Sequence, residues 1–494
     1  MACYTGSGLV GRGVAASLPE VKGVWAKGVT MKLAFLGAAS GEVTGSAYHL
    51  RTADAEVMVD FGMFQGGRQA DVANRAKALR NAPTLAAVLL THAHLDHCGR
   101  LPLLARAGFK GPVFCTDATR EITALILRDS AHVQEQDLQR TNRRRERAGE
   151  PLLDVLYTAA DVDRIMRNFR VVEYGQTVPV APGMQARFVD AGHLCGSACI
   201  EVAVTEGGRT RKLVFSGDLG RRNTPMLRDP VHFAGADAVV LESTYGDREH
   251  KPLAETVAEF ESIVQHAAAR RGKILIPTFA VGRAQLMLYL LAIMFRNRMV
   301  EPFPIYIDSP MAIEATRICG RHVDLYDDEF QALQRQKPLA EDMGTVRPVA
   351  TAEESRRLNQ ISGPCLILAG AGMCTAGRIL HHLKQNLWRD DTSVIFVGFQ
   401  GRGTLGRMLI EGAKSVKILG ERVAVKARIH TLGGFSAHAG QSELLEWFGS
   451  MAASRPRVIV THGEENARET LAGLIRERFG LASEIPMVGD VLEL

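Results

Sequence analysis

The alternation of apolar and polar residues changes character along this chain. In the first part, short apolar runs bounded by glycines predict strands, and runs with helical periodicity lie between several of them. The predicted strands are 32–37, 47–51, 56–61, 86–91, 112–115, 185–190, 198–204 and 211–216, and the predicted helices are 98–107 and 117–133. A polar, arginine-rich helical segment is expected over 134–170. This mixture is typical of two sheets with helices outside them.

In the second part, strands and helices alternate regularly, which indicates a parallel sheet with crossover helices. The predicted strands are 237–242, 273–277, 304–308, 364–369 and 393–397, and the predicted helices are 253–271, 282–295, 310–323 and 376–387. The polar segment 324–362 predicts an exposed helical excursion. Beyond residue 428 the first pattern returns, with helices 440–452 and 465–478 on either side of strand 457–461. We therefore expect one domain that is split around an inserted one.

Composition excludes some classes of protein. A chain of 494 residues is long enough for roughly two to four domains. No apolar run reaches the roughly 18 residues that a membrane span needs. The eight cysteines are scattered without a Cys-x-x-Cys pair, which predicts a reducing, cytoplasmic location rather than a disulfide scaffold. Residues 1–30 lack the charged start and apolar core of a secretory signal, and we interpret them as a disordered leader or as the result of a start site placed too far upstream.

The net charge of +5 is too small to indicate a polyanionic partner by itself. Five arginines do crowd into residues 140–147. A solvated helix face is the favoured explanation of this cluster, and a contact with a phosphate backbone is the alternative.

The segment His92-Ala93-His94-Leu95-Asp96-His97 follows the apolar run 86–91, which predicts a buried strand. Imidazole and carboxylate are common ligands of zinc and related ions. In extended backbone His92 and His94 point the same way, and Asp96 and His97 lie where the chain bends. Since one ion would not need four candidate ligands in six residues, the segment predicts two neighbouring metal ions.

Four other predicted strands end at a candidate ligand beside a glycine. These candidates are Asp60, His193, Asp218 and His462. A single histidine or aspartate at a strand end is more often a cap or a satisfied core group. Together with the segment 92–97, however, these positions predict a di-metal set of five histidines and two aspartates.

The ordered motifs of residues 31–494 resemble those of the metallo-β-lactamase superfamily, and within it the β-CASP nucleases. The closest resemblance is to bacterial and archaeal relatives of the cleavage-and-polyadenylation endonuclease. The matching positions are Asp60, His92–His97, His193 and Asp218 for the four superfamily motifs, and Glu242, His438 and His462 for motifs A, B and C. The resemblance implies an α/β fold, namely an αββα metallo-β-lactamase sandwich from residues 31–246 and 429–494. A β-CASP domain of residues 247–428 would be inserted into it and close over it.

The resemblance also implies a role for each matching residue. Two zinc ions are expected, with manganese as the alternative metal. The implied ligands are His92, His94 and His193 for one ion, Asp96, His97 and His462 for the other, and Asp218 as the bridge between them. Asp60 would orient a ligating imidazole. In the implied reaction, hydroxide activated by the metals attacks a phosphodiester, Asp96 takes part through its metal, and His438, oriented by Glu242, protonates the leaving oxygen.

The expected activity is that of a zinc-dependent ribonuclease that leaves 5′-phosphate and 3′-hydroxyl ends. The histidine at motif C, His462, accompanies RNA-cleaving members of the family, so single-stranded RNA is the expected partner. Arg283, Arg402 and Ser436 are the predicted substrate contacts, although tight packing explains the glycine-rich turns around the two arginines equally well. A DNA nuclease, a small-molecule hydrolase and an inactive RNA-binding subunit stay open as alternatives. A homodimer is possible, because relatives commonly dimerise.

Overall fold

The computed structural model describes residues 31–75, 82–398, 400–401 and 403–494. The predicted leader 1–30 and the predicted substrate contact Arg402 lie outside these residues. Strands and helices are numbered below in chain order.

Two seven-stranded sheets form the main domain. The first has the order β22-β1-β2-β3-β4-β5-β6, from Lys32–Gly37 (β1), Ala47–Arg51 (β2), Glu56–Val59 (β3), Ala87–Leu89 (β4), Val113–Cys115 (β5), Phe169–Val171 (β6) and Val491–Glu493 (β22). The second has the order β21-β20-β11-β10-β9-β8-β7, from Thr177–Ala181 (β7), Met184–Asp190 (β8), Ala198–Glu206 (β9), Arg209–Phe215 (β10), Ala238–Leu241 (β11), Arg457–Val460 (β20) and Ser483–Glu484 (β21).

The two sheets pack face to face. Apolar side chains from both sheets, among them Phe35, Phe188, Phe215 and Ile459, form one buried cluster between them. Helices cover the outer faces, and those of this domain are Gly67–Arg75 (α1), Leu95–Cys98 (α2), Leu101–Arg106 (α3), Asp117–Arg147 (α4), Ala159–Met166 (α5), Gln441–Gly449 (α14) and Glu465–Phe479 (α15). This arrangement is the predicted αββα sandwich.

The inserted part is built on a six-stranded, fully parallel sheet of order β14-β13-β15-β12-β16-β19. Its strands are Lys273–Pro277 (β12), Ile305–Asp308 (β13), Val346–Pro348 (β14), Cys365–Ala369 (β15), Thr392–Phe396 (β16) and Arg428–Thr431 (β19), and Ser415–Ile418 (β17) and Glu421–Ala424 (β18) form a separate hairpin. Its helices are Leu253–Ala269 (α6), Arg283–Arg296 (α7), Pro310–Arg321 (α8), Asp328–Gln336 (α9), Leu339–Asp342 (α10), Ala352–Leu358 (α11), Arg378–Asn386 (α12) and Leu405–Ile410 (α13). Since β19 pairs with β16, the chain leaves this sheet only after Thr431.

Two predicted helices differ in extent from those observed. The helix expected at 98–107 is observed only as α3, and Gly99 and Arg100 separate it from α2, which ends at Cys98. The helix expected at 117–133 continues to Arg147, and the side chain of Thr116 caps its start by accepting from the Thr119 N–H.

The arginine cluster of residues 140–147 lies on the last turns of α4. Arg145 is half-buried and pairs with Glu150, and Arg140 pairs with Asp137, while the rest of the cluster is exposed. Within the part of the chain that the structure describes, α4 is the longest helix but is too polar to cross a membrane, and no other helix there meets that requirement either.

Candidate metal centre and active site

The candidate ligands follow the ends of four strands, β4, β8, β10 and β20, and the candidate orienting residues Asp60 and Glu242 follow β3 and β11. Strands β3 and β4 are parallel, as are β10, β11 and β20, so their carboxyl ends meet at one edge of the sandwich. The order and direction of the strands in the two sheets therefore bring these side chains, from widely separated positions in the chain, to a common edge.

Three imidazoles form a first group in this edge. The Nδ1 atom of His94 lies 3.1 Å from Nε2 of His92 and 3.1 Å from Nε2 of His193. Zinc–nitrogen bonds of about 2.0–2.1 Å in tetrahedral geometry place ligand nitrogens roughly 3.3 Å apart. These nitrogens, together with a carboxylate oxygen of Asp218, lie within 4.8 Å of one another. The group therefore fits a single divalent ion.

A second group contains Asp96, His97 and His462. The Nε2 atoms of His97 and His462 lie 3.2 Å apart, and Nε2 of His462 lies 3.8 Å from Oδ2 of Asp96. These two histidines are 365 positions apart in the sequence. Only the packing of β20 into the second sheet brings them together.

The carboxylate of Asp218 lies between the two groups. Its Oδ2 is 3.4 Å from His92 and 3.5 Å from His193, whereas its Oδ1 is 3.2 Å from His97 and 3.5 Å from His462. Oδ1 is buried and has no hydrogen-bond partner among the described residues. A buried carboxylate oxygen without a partner is costly, and a bridging position between two cations would satisfy both of its oxygens.

Neighbouring groups orient the imidazoles. Oδ2 of Asp60 is 2.7 Å from Nδ1 of His97, and the same carboxylate accepts from the backbone N–H and the hydroxyl of Thr91. The Thr91 hydroxyl also lies 3.1 Å from Nδ1 of His92. Such contacts fix which ring nitrogen faces a metal. Asp60 therefore lies behind a candidate ligand, and the orienting role that the resemblance implies for it stays a prediction.

Two further orienting contacts were not predicted from the sequence. Nδ1 of His193 lies 3.1 Å from the backbone carbonyl of Ala437, and Nδ1 of His462 lies 3.2 Å from the hydroxyl of Thr244. Ala437 directly precedes His438, so one loop both orients a candidate ligand and carries the candidate general acid. The contact with the Ala437 carbonyl could not be predicted, because it does not depend on the type of side chain. For the contact with Thr244, the only available signal is its position two residues after Glu242.

Burial and charge set the protonation of the first group. Burial lowers the pKa of His92 to about 4 and that of His94 to about 3, so both rings are neutral at pH 7. Neutral imidazole is the form that binds a metal. Burial opposes ionisation of Asp218, but the surrounding histidines, His462 first, hold its pKa well below the usual range. The first group therefore presents neutral rings of His92 and His94 beside an anionic carboxylate. In the second group, burial disfavours the charged rings, but Asp218 outweighs this effect and raises the pKa of both His97 and His462.

His438 and Glu242 form a pair beside the first group. Nδ1 of His438 lies 3.1 Å from Oε1 of Glu242, and its Nε2 lies 3.9 Å from Oδ2 of Asp218. The Glu242 carboxylate is buried and also accepts from the backbone N–H groups of Leu219 and Thr244. Burial disfavours the charged ring, but Glu242 and Asp218 outweigh it and raise the pKa of His438 to about 9.

Local backbone geometry also shapes the site. His462 and Asp60 adopt positive φ angles of 50° and 55°, which are uncommon for residues other than glycine. A side chain at Gly62 would collide with the backbone of Asp96, since an added Cβ would lie 1.5 Å from its carbonyl oxygen. Glycine at position 62 therefore allows the metal-motif loop to pack against the segment that follows β3.

The predicted substrate contacts have different surroundings. Arg283 is 8% exposed, and its Nη2 is buried with no hydrogen-bond partner among the described residues. Burial lowers its pKa to about 10, so it is still charged at neutral pH. The Ser436 hydroxyl, in contrast, accepts from the backbone N–H of His438 and shapes that loop.

Sequence models of three domains match the chain. They are the Beta-lactamase superfamily domain at residues 59–278, the Beta-Casp domain at 284–409 and the Zn-dependent metallo-hydrolase RNA specificity domain at 422–486. The fold and the site thus define a metal-dependent hydrolase of the metallo-β-lactamase superfamily.

Proteins of similar sequence identify the family within this superfamily. Ribonuclease TTHA0252 of Thermus thermophilus is 42% identical over 450 residues, which cover 91% of this chain and 96% of that protein. Transcription termination factor FttA of Methanocaldococcus jannaschii is 30% identical over 482 residues, 94% of this chain and 72% of that protein. A solved structure of a protein of unknown function from Enterococcus faecalis V583 covers 94% of this chain and all of that one, with a TM-score of 0.51 and 12% identity, and shows the fold alone. The chain belongs to the β-CASP ribonuclease family, which confirms the resemblance.

Proposed function

We propose that this protein is a zinc-dependent ribonuclease that hydrolyses single-stranded RNA and leaves 5′-phosphate and 3′-hydroxyl ends. The observation that carries the proposal is the position of Asp218, whose two oxygens face two separate groups of imidazoles. Two divalent ions bound there would lower the pKa of a water molecule to near neutrality and stabilise charge on an attacked phosphate. The names of the two relatives, a ribonuclease and a transcription termination factor, support RNA as the substrate.

In this proposal, the protein's own residues position the ligands and move one proton. Asp60, Thr244 and the Ala437 carbonyl hold the ligating rings in place. His438 donates a proton from Nε2 to the leaving 3′-oxygen, while Glu242 holds its Nδ1. Since Nε2 is the ring nitrogen that faces Asp218, the proton donor points toward the metal centre.

Arg283 is the proposed phosphate contact. Its guanidinium carries a buried nitrogen without a partner, and it lies at the start of α7, where backbone N–H groups also attract anions. A phosphate of the substrate would supply the missing hydrogen-bond partner. Ser436 is a second proposed contact, because its hydroxyl accepts from the backbone N–H of His438 and this bond leaves the O–H as a donor for a phosphate oxygen.

A cleavage assay with matched oligonucleotides tests the proposal. Labelled single-stranded RNA and DNA of one sequence are incubated with the zinc-loaded protein, with and without a chelator, and mass spectrometry identifies the ends. Chelator-sensitive cleavage of RNA, with 5′-phosphate on the downstream product, is the expected result. Cleavage of DNA alone would instead establish a DNA nuclease.

Other outcomes would identify the remaining alternatives. Hydrolysis of a thioester or lactam without any cleavage of nucleic acid would make the protein a small-molecule hydrolase. RNA binding without cleavage, in protein that retains its metals, would indicate an inactive binding subunit. Activity with manganese but not zinc would change only the proposed metal.

The location, assembly and domain limits are also proposals. We propose a cytoplasmic enzyme that forms a homodimer, with light scattering as the test of its mass. The predicted limits of the inserted domain, residues 247–428, stay a proposal that limited proteolysis can test, with the C-terminal limit moved to Thr431 because β19 pairs within the inserted sheet.

A further inference from the structure

The inserted sheet presents one edge to the metal centre. All six of its strands are parallel, so their carboxyl ends lie along the same edge. Strand β19 leads from this edge directly into the loop that carries His438. Ligands of parallel α/β sheets bind outside the carboxyl ends of the strands. Residues that immediately follow β12, β15 and β16 are therefore placed to contact a substrate that reaches the metals.

Phe279 lies at this edge, two residues after the end of β12, which is one of the two middle strands of the sheet. Its side chain is 44% exposed, although a phenylalanine of a globular protein is usually buried. The ring lies against backbone that follows β15 and β16. A Cβ added at Gly372 would lie 2.9 Å from the ring, and one added at Gly398 would lie 3.7 Å from it. One part of the ring is thus supported by backbone, and the rest is open.

The same turn connects Phe279 to the metal centre. Gly282, three residues further on, approaches Leu194, since a Cβ added there would lie 4.0 Å from the Cβ of Leu194, the neighbour of His193. Arg283 follows, with its buried and unpartnered Nη2. An open aromatic ring and the guanidinium that is the proposed phosphate contact therefore lie four residues apart on one turn, and that turn approaches the neighbour of a candidate metal ligand.

We propose that Phe279 is a stacking platform for one nucleobase of the single-stranded substrate, next to the phosphate that Arg283 contacts. This inference rests on the proposed function and adds a base-binding subsite to it. Proteins that bind single strands without sequence preference combine a cationic path for the backbone with aromatic rings on which bases stack. Because every base has a flat face, Phe279 gives affinity at one position of the strand but little preference for its identity.

The test measures RNA binding by fluorescence anisotropy in the zinc-loaded His438→Ala background, in which cleavage is slowed. The probes are a labelled 12-nucleotide RNA and a series in which one position at a time is abasic. Loss of stacking costs roughly 5- to 150-fold in Kd per base. Phe279→Ala is expected to raise Kd by a factor within this range. Phe279→Trp should retain the affinity of the parent protein, and Phe279→Leu should lose most of the affinity that stacking supplies. One abasic position should weaken binding to the Phe279 protein and have no effect on the Phe279→Ala variant.

Trp388 provides a matched control. It is also an exposed aromatic residue, at 53%, but it lies after the end of α12, which runs back from the carboxyl edge to the opposite edge of the sheet. Trp388→Ala should leave Kd unchanged. Equal Kd values for Phe279→Ala and the parent protein, or identical abasic profiles for the two, would overturn the proposal. If the protein cleaves RNA but gives either of these results, only the proposed role of Phe279 is rejected. If the protein does not cleave RNA, the proposed function itself is rejected.

Discussion

Replacing His438 by alanine tests the proposed proton transfer. The ring is held at Nδ1 by the buried Glu242 and directs Nε2 toward Asp218, so the substitution removes a donor that is already aimed at the centre. General acid catalysis contributes typically 10²- to 10⁴-fold to a rate. Since the ring is fully oriented by its partner, we expect kcat for RNA cleavage to fall by about 10³-fold, or roughly 4 kcal/mol.

A substrate with a better leaving group separates this role from a merely structural one. In an RNA with sulfur in place of the scissile 3′-oxygen, the leaving thiolate needs no proton. The loss caused by His438→Ala should then shrink to less than about 10-fold, because the acid is no longer required. Rates with both substrates are measured under single-turnover conditions, and elemental analysis checks that the variant keeps its metals. An equal loss with both substrates would refute proton donation by His438.

The remaining predictions concern the partners of this site and the core of the inserted domain. Glu242→Gln should slow cleavage by about 10- to 150-fold through loss of a charge-assisted hydrogen bond, and by little more in a protein that already carries His438→Ala; additive losses in the double variant would contradict a shared role. Asp218→Asn should lower the bound metal, measured by elemental analysis, because a neutral amide is a poor bridging ligand; unchanged metal content would contradict bridging. Burial opposes ionisation of Asp308, but hydrogen bonds from His382, Ser355 and Arg378 hold the pKa of Asp308 below its usual range. The stabilisation by ionised Asp308 is therefore present above about pH 4 and is lost as the pH falls through the native pKa. Asp308→Asn should lower the free energy of unfolding at pH 7 by about 3 kcal/mol and make that free energy less dependent on acid pH, as measured by urea titrations. The same acid dependence in both proteins would contradict this assignment.

Much of the fold could be predicted because the spacing of apolar residues along the chain indicates helices and strands locally. Strand β12 was predicted with its observed limits, and helix α15 to within one residue. The helix predicted at 98–107 begins only at Leu101 as α3, because Gly99 and Arg100 separate it from the short helix α2 that ends at Cys98. Strands β6 and β7 were missed because both are short edge strands with little burial, and Pro179 interrupts the strand pattern of β7.

The candidate ligands could also be named in advance. His92, His94, Asp96 and His97 lie within six residues, and the other ligand types follow apolar runs at strand ends. No local pattern predicts the contact between His97 and His462. Nor does one predict that the two oxygens of Asp218 face different groups of imidazoles. Those distances depend on the order of β10, β11 and β20 in the second sheet.

The sequence by itself determined which strands and helices form and which side chains are available for metal chemistry, because hydrophobic periodicity and ligand type depend on near neighbours in the chain. The tertiary structure alone decided which of those groups meet. Packing of two sheets and an inserted domain orients His193 through the carbonyl of Ala437, leaves a nitrogen of Arg283 buried without a partner among the described residues, and keeps the ring of Phe279 open. These features arise from contacts between distant segments, whose energies depend on the assembled geometry rather than on the residues that lie beside them in the sequence.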